Sequence, residues 1–257
     1  MGAMTSGKTG ILGAELRPML ALAGPVILAE LGWMGMGIID TIFVGRLGAE
    51  AIGAVSLGNA IYFAVAIFGM GLLLGLDTLI SQAFGAGRRE ECHGWLAQGI
   101  YLSLILAPLV MVFLLSSMNL MGRIGVHPVV YAQAKPFLWA SIWGTLPLFL
   151  YSTFRRYLQA MGLVKPVMFA LISANLINAI GDWIFVYGHL GAPAMGVEGS
   201  GWATTASRFY MAAVLILYAI YHEMRHGTRF QGVSWRPRLE AQIRLLAIGL
   251  PAAVHLT

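Results

Sequence analysis

The stretch Pro166-Val-Met-Phe-Ala-Leu-Ile-Ser-Ala-Asn-Leu-Ile-Asn178-Ala-Ile-Gly-Asp182-Trp-Ile-Phe-Val-Tyr187 decides the fold class. It is mostly apolar and about as long as the 20 residues that an α-helix needs to cross a bilayer. Asn178 and Asp182 are four residues apart, so both side chains lie on one face of such a helix. An ionisable group at that depth is a functional site by default. The stretch therefore predicts a membrane helix that carries a polar site.

Five further apolar runs of membrane-spanning length lie at 18–44, 52–80, 95–118, 131–154 and 200–221. Hydrophobic residues make up 58% of the chain and charged residues only 11%, against about 25% charged in soluble domains. None of the runs shows the alternation of a transmembrane barrel strand. We predict an all-α integral membrane protein, with an N-terminal segment at 1–17 and a six-helix lobe at 18–222.

The distribution of basic residues predicts how this lobe is oriented. One side of the membrane would receive the N-terminus and the even-numbered connections, with twelve basic residues, and the other side only three. The twelve are Lys8, Arg17, Arg88, Arg89, Arg155, Arg156, Lys165, Arg225, Arg229, Arg236, Arg238 and Arg244, and the three are Arg46, Arg123 and Lys135. Basic residues collect on the cytoplasmic side. We therefore expect a multi-pass protein of the cell (inner) membrane with a cytoplasmic N-terminus, and no nucleic-acid partner.

The end of the chain predicts a second lobe. Residues 223–243 form a basic stretch that suits a cytoplasmic linker lying against anionic lipid. After it, Leu246-Ala-Ile-Gly-Leu-Pro251 resembles Leu20-Ala-Leu-Ala-Gly-Pro25 at the start of the first run. Residues 244–257 would then begin a seventh helix, only about 20 Å long in a hydrocarbon core of about 30 Å. We expect this lobe to be an N-terminal half with a C-terminal lobe as its partner, although a natural half-length product that dimerises stays possible.

Oxygen-bearing side chains predict a cation site in the outer half of the lobe. Asp40 and Asp182 lie at similar depth in the first and fifth runs, with Asn178 beside Asp182. Carboxylate and amide oxygens can bind H⁺ or a small hard cation such as Na⁺. Thr204 and Thr205 enter the membrane at the same depth in the sixth run and could each supply a hydroxyl. No other metal and no cofactor is expected.

Four other polar residues within the runs have open roles. Arg208 could be the resting counter-ion of Asp182, or could pair with either aspartate in a purely structural way. Glu30 lies near the middle of its run, so it must face the interior or a cavity, and a contact with cationic substrate is as plausible as a structural role. Asp77, close to Gln82, can reach interfacial water, which favours a structural role.

Three residues predict local geometry. Gly71 and Gly75 have the spacing of close helix packing. Pro147 lies within a run, where it permits a bend.

One motif favours an enzyme. His222-Glu223-Met224-Arg225-His226 matches H-E-x-x-H, in which two histidines bind zinc and the glutamate acts as base. It lies where the sixth run leaves the membrane, next to Gly227, so a solvated helix end explains it better. A membrane zinc metalloprotease stays an alternative, and we do not expect an enzyme.

Six short stretches together resemble one family. They are Leu22-Ala-Gly-Pro25, Asp40-Thr-Ile-Phe-Val-Gly-Arg-Leu-Gly48, Asp77-Thr-Leu-Ile-Ser-Gln-Ala-Phe-Gly-Ala-Gly87, Leu158-Gln-Ala-Met-Gly162, Asn178-Ala-Ile-Gly-Asp182 and Gly201-Trp-Ala-Thr-Thr205. In this order they resemble the multidrug and toxic compound extrusion (MATE) family, and they cover nearly the whole chain.

The resemblance implies a twelve-helix antiporter of two six-helix lobes that works by alternating access. In such proteins the equivalents of Asp40, Asn178 and Asp182 form a site for H⁺ or Na⁺, and cation binding competes with binding of the drug. The expected function is export of organic, mainly cationic, compounds. The alternative is a flippase of similar architecture for lipid-linked or polysaccharide anions, which should show more basic residues facing its cavity.

Overall fold

The structure is a computed structural model that describes residues 6–123, 125–226 and 235–256. These residues form helices joined by short connections, with no strand in the described ranges, so the predicted all-α class is confirmed. The helices are α1 (Ser6–Gly45), α2 (Ala49–Leu72), α3 (Gly75–Gly85), α4 (Arg89–Met121), α5 (Pro128–Ile142), α6 (Thr145–Ala160), α7 (Val164–Phe185), α8 (Val197–Arg225) and α9 (Leu239–Leu256).

Six membrane crossings are available in the described part of the chain. Five segments are long and apolar enough, namely Ile27–Gly45, Ala49–Gly85, Arg89–Asn119, Val164–Phe185 and Val197–Arg225. The sixth is the pair α5 and α6, bent by 49°. All six coincide with the runs predicted from hydropathy.

Two helix boundaries differ from the prediction. Helix α1 begins at Ser6 instead of near Pro18, and α9 begins at Leu239 instead of Arg244. A helix satisfies its own backbone hydrogen bonds, so it can continue beyond the apolar run that marks it in the sequence. Of the predicted linker, residues 227–234 lie outside the described residues.

Helix α1 has one face turned outward and one turned into the lobe. Large apolar side chains on the outward face are about half exposed or more, at Ile27, Leu31, Met34, Ile38 and Ile42. Their spacing follows the helical period and leaves a stripe that suits lipid. The opposite face is buried at Ala29, Met36, Asp40 and Val44. Asp40 is therefore directed into the helix bundle.

The bend between α5 and α6 lies just before Pro147. The helix breaks at Trp143 and Gly144. A Cβ atom at Gly144 would lie 2.9 Å from Cδ of Arg208 in α8, so a larger residue would displace the Arg208 side chain. Pro147 has no backbone N–H to donate to the preceding turn. The turn that lacks this hydrogen bond is the one in which the helix breaks.

Helix α9 crosses α2 and α3 in backbone contact. A Cβ atom at Gly249 would lie 2.1 Å from the carbonyl oxygen of Leu72, and one at Gly71 would lie 2.5 Å from Cα of Ala253. A Cβ atom at Gly75 would lie 2.7 Å from the carbonyl oxygen of Leu245 in α9. The crossing falls at the break between α2 and α3, and it uses the Gly71 and Gly75 pair that the sequence marks for close packing.

Candidate cation-binding site

Asp40 accepts a hydrogen bond on each carboxylate oxygen. Asn178 of α7 donates from Nδ2 to Oδ1 at 2.9 Å, and Thr204 of α8 donates from Oγ1 to Oδ2 at 3.0 Å. Asp40 is only 2% exposed, and both donors are buried. One carboxylate thus joins three helices, which are the helices predicted to carry the site.

Asp182 completes a cluster of buried oxygen atoms. It is buried beside Asp40 and Ser200. Among the described residues, neither of its carboxylate oxygens receives a hydrogen bond of good geometry, and Oδ1 of Asn178 also has no donor. Two adjoining carboxylates repel each other when both are ionised. A proton or a small cation between them would offset that repulsion, and oxygen ligands suit hard ions such as Na⁺.

Contacts on either side of the cluster fix α7 against α1. One turn before Asn178, Asn175 donates from Nδ2 to the carbonyl oxygen of Gly32 at 2.8 Å. Beyond Asp182, the Tyr187 hydroxyl donates to the carbonyl oxygen of Phe43 at 2.6 Å. These two bonds set the register in which Asn178 meets Asp40.

Small residues bring α8 close to α7. A Cβ atom at Gly181 would lie 2.9 Å from Cβ of Ala203. Asp182 and Thr204 directly follow these two residues, so the close crossing places both side chains in one site. Ser200 of α8, which the sequence analysis did not single out, also adjoins Asp182. Its position between Gly199 and Gly201 is the sequence signal for such a close approach.

Thr205 and Arg208 lie outside this cluster, contrary to the expectation that both could serve it. The Thr205 hydroxyl donates to the carbonyl oxygen of Ala140 at 2.8 Å, and Arg208 Nη1 donates to that of Ser141 at 3.2 Å. The Arg208 guanidinium also lies 4.2 Å from the ring centre of Tyr62. Both side chains therefore donate to carbonyl groups at the broken end of α5, where the Ser141 carbonyl also accepts from the backbone N–H of Gly144.

The counter-ion role predicted for Arg208 is corrected accordingly. Its charge acts on Asp40 at longer range, but among the described residues it makes no ion pair with Asp40 or Asp182. The guanidinium instead contacts the Ser141 carbonyl at the bend and the ring of Tyr62.

The other acidic candidates pair with two neighbouring arginines of α6. Glu30 forms an ion pair with Arg155, and Asp77 forms one with Arg156. The sequence analysis above used the two arginines only for topology, although their position at the end of a membrane run suggests a partner within it. Gln82 is exposed and does not join this group.

Glu30 and Arg155 line a cavity of about 320 Å³ between α1, α2 and α6. Two aromatic rings of its lining are nearly parallel, with the ring centres of Trp33 and Tyr151 6.4 Å apart and 4° between their planes. The cavity thus combines charged groups with flat apolar surfaces.

Comparison with known proteins assigns the chain to a family. The MatE family model matches residues 25–184, which is more than half of the chain. The chain belongs to the MatE family. Two similar relatives are the multidrug resistance protein NorM of Vibrio parahaemolyticus and the multidrug resistance protein MdtK of Yersinia pestis, each 32% identical over 94% of the chain. The chain spans about half the length of these MATE relatives, 53% in both cases.

Solved MATE structures share the fold of this lobe. A eukaryotic MATE transporter superposes with a TM-score of 0.82 at 21% identity, covering 93% of the chain and 52% of that structure. An outward-facing multidrug resistance MATE transporter superposes with a TM-score of 0.78 at 22% identity, covering 91% and 51%. The resemblance predicted from six short stretches is confirmed, and the chain is a multi-pass membrane protein of a transporter family.

Membership of the MATE family also decides against the zinc-protease alternative, since its members are transporters and not enzymes. The geometry agrees. Glu223 is buried, accepts a hydrogen bond from the Tyr157 hydroxyl at 2.8 Å and contacts Nε2 of His93 at 3.0 Å. It therefore joins α4, α6 and α8. The rings of His222 and His226 lie 4.2 Å apart, but the described residues contain no group of three metal-binding side chains.

Proposed function

We propose that this lobe works with a second lobe of the same chain to export organic, preferentially cationic, compounds in exchange for H⁺ or Na⁺. Its relatives NorM and MdtK carry the name multidrug resistance protein. The observation that carries the proposal is the Asp40 carboxylate, held by Asn178 and Thr204 beside the buried carboxylate of Asp182.

The exchange follows from the charge of this cluster. With both carboxylates ionised and buried, the site favours uptake of a proton or a sodium ion. A bound ion would compete with Asn178 and Thr204 for the oxygen atoms of Asp40, and these two donors come from different helices, α7 and α8. An ion drives a conformational change only by binding one state more tightly than the other. In the proposed orientation, with a cytoplasmic N-terminus in the inner membrane, the cluster lies in the outer half and would load from outside.

The cavity beside Glu30 supports a preference for organic cations. Its volume of about 320 Å³ falls at the lower end of the usual range for small-molecule sites, about 300–1,000 Å³. The aromatic faces of Trp33 and Tyr151 can attract a cation, which would compete with Arg155 for the Glu30 carboxylate. Arg155 and Arg156 are each paired with a carboxylate, so the cavity lacks the unpaired basic residues that a flippase of polymeric anions would use.

The test is gradient-driven transport by protein expressed from the complete native gene and reconstituted in liposomes. Uptake of a fluorescent organic cation would be followed under an imposed H⁺ or Na⁺ gradient. We expect Asp40→Asn to abolish the gradient-driven component, whereas Glu50→Gln, an exposed acid in the first turn of α2, should leave it unchanged. Full gradient-driven transport by Asp40→Asn would refute the assignment of the site.

A further inference from the structure

A second cavity, of about 460 Å³, lies at the end of the lobe where α3 meets α4 and α9 begins. Arg88, Arg238 and Arg244 line it, together with Glu90 and Glu91. It is separate from the cation cluster and from the cavity beside Glu30. The three arginines come from two parts of the chain that are far apart in sequence, so only the fold brings them together.

Gln98 of α4 holds the segment that carries two of these arginines. Its side chain is 2% exposed. Nε2 donates to the carbonyl oxygen of Arg236 at 3.0 Å, and Oε1 accepts from the backbone N–H of Arg238 at 3.1 Å. Oε1 also accepts from Nε2 of Gln242 at 3.0 Å. The start of α9 is therefore fixed to α4, and the cavity is a built feature of the lobe.

The charges of the lining favour an anion with one negative charge. Three arginines and two glutamates give the lining a net charge of +1. The Arg88 and Glu91 side chains form an ion pair at 3.0 Å, which leaves Glu90 to balance only one of the other two arginines. Arginine binds phosphate oxygens with paired hydrogen bonds. A phosphodiester carries one negative charge, whereas a phosphate monoester carries about 1.5 to 2 at pH 7.

The surroundings of the arginines match the headgroup region of a membrane. The Arg244 guanidinium lies 5.8 Å from the ring centre of Trp95, and tryptophan is enriched at headgroup level. On the outer surface of α9, Leu239 is 76% exposed and Ile243 is 58% exposed, one turn apart beside Arg238. Acyl chains can lie along such apolar side chains while the arginines hold a headgroup.

We propose that this cavity binds the phosphodiester of a membrane phospholipid headgroup, with Arg238 and Arg244 as its main ligands. Gln98 is then a positioning residue, because its side-chain amide is bonded to the backbone of Arg236 and Arg238. Binding would join a lipid, α4 and the start of α9 in one unit.

Native mass spectrometry of the purified protein tests the proposal and does not depend on transport. The probes are dioctanoyl phosphatidylglycerol, dioctanoylglycerol with the same acyl chains but no phosphate, and inorganic phosphate. We expect the protein to retain the phosphatidylglycerol adduct and to lose the dioctanoylglycerol adduct. Inorganic phosphate should fail to displace the bound phosphatidylglycerol. Arg238→Gln with Arg244→Gln should weaken phosphatidylglycerol binding about tenfold or more, since charged hydrogen bonds are lost.

The control is the double variant Arg46→Gln, Arg123→Gln, which changes two exposed arginines in the connections after α1 and α4. This variant should bind phosphatidylglycerol as tightly as the parent. Arg244→Lys keeps the charge and should bind more tightly than Arg244→Gln, which separates a lost ligand from a folding defect. Equal phosphatidylglycerol binding by the parent and the Arg238→Gln, Arg244→Gln variant would overturn the proposal. Displacement of the lipid by inorganic phosphate would overturn the lipid assignment and indicate a site for free phosphate.

Discussion

Thr204→Val tests the cation site with a single missing hydrogen bond. Thr204 is 4% exposed and its hydroxyl donates to Oδ2 of Asp40 at 3.0 Å. Valine keeps the shape and removes the donor. A hydrogen bond to a charged group contributes about 1.5–3 kcal/mol, and each 1.4 kcal/mol is a factor of about ten in affinity. The half-saturating ion concentration should therefore move by about tenfold to a hundredfold.

The direction of that change identifies the ion. The hydroxyl stabilises the ionised carboxylate, so its loss favours protonation, and a proton-driven transporter would reach half-maximal rate at a lower proton concentration. A sodium-driven transporter would lose a polar group from its ion site and need more sodium. The measurement is the initial rate of organic-cation transport in liposomes at varied proton or sodium concentration.

Thr205→Val is the matched control for this prediction. Its hydroxyl caps the Ala140 carbonyl group and does not reach Asp40. Removing it leaves a buried carbonyl without that donor, at a cost of about 1–3 kcal/mol in folding stability. Thr205→Val should lower the melting temperature and leave the half-saturating ion concentration unchanged. The assignment of the site is wrong if both variants shift the half-saturating ion concentration equally. It is also wrong if Thr204→Val changes this concentration for neither protons nor sodium.

Three further predictions concern packing and the histidine motif. Gly249→Ala places a Cβ atom 2.1 Å from a carbonyl oxygen of α2 and should destabilise the protein by about 1–3 kcal/mol, measured by thermal unfolding. Gly37→Ala is the control, because Gly37 has open space around it, and this variant should keep the stability of the parent. Equal stability of the two variants would contradict the crossing. Tyr157→Phe removes the 2.8 Å bond to Glu223 and should cost about 1.5–3 kcal/mol in the same assay; an unchanged melting temperature would argue against this bond. His222→Ala and zinc chelation should each leave transport unchanged, and loss of transport with chelator would revive a metal role.

The sequence predicts the spans and the main site residues because both depend on local patterns. Hydropathy over about 20 residues marks a membrane helix, and the spacing of Asn178 and Asp182 places both on one face. Asp40 lies at the same depth in the first run as Asn178 and Asp182 do in the fifth run, so the three residues share one level of the membrane. None of these steps needs knowledge of how the helices pack.

Packing decides the rest of the site. Thr204 and Thr205 share a depth, but adjacent residues on a helix point in different directions, so at most one faces Asp40 well. Arg208 caps a break in α5 that only the folded lobe reveals. The pairing of Glu30 with Arg155 joins residues 125 positions apart, which no local pattern encodes.

The glycine crossing of α9 over α2 joins two backbones directly. At Gly71 and Gly249 no side chain separates the two helices, and Leu245 of α9 is fully buried beside them. Such close-packed contacts have low compressibility and transmit displacement. Because Gln98 also ties the start of α9 to α4, a movement of α9 would carry the break between α2 and α3 with it. The helix would then act as a lever on the lobe.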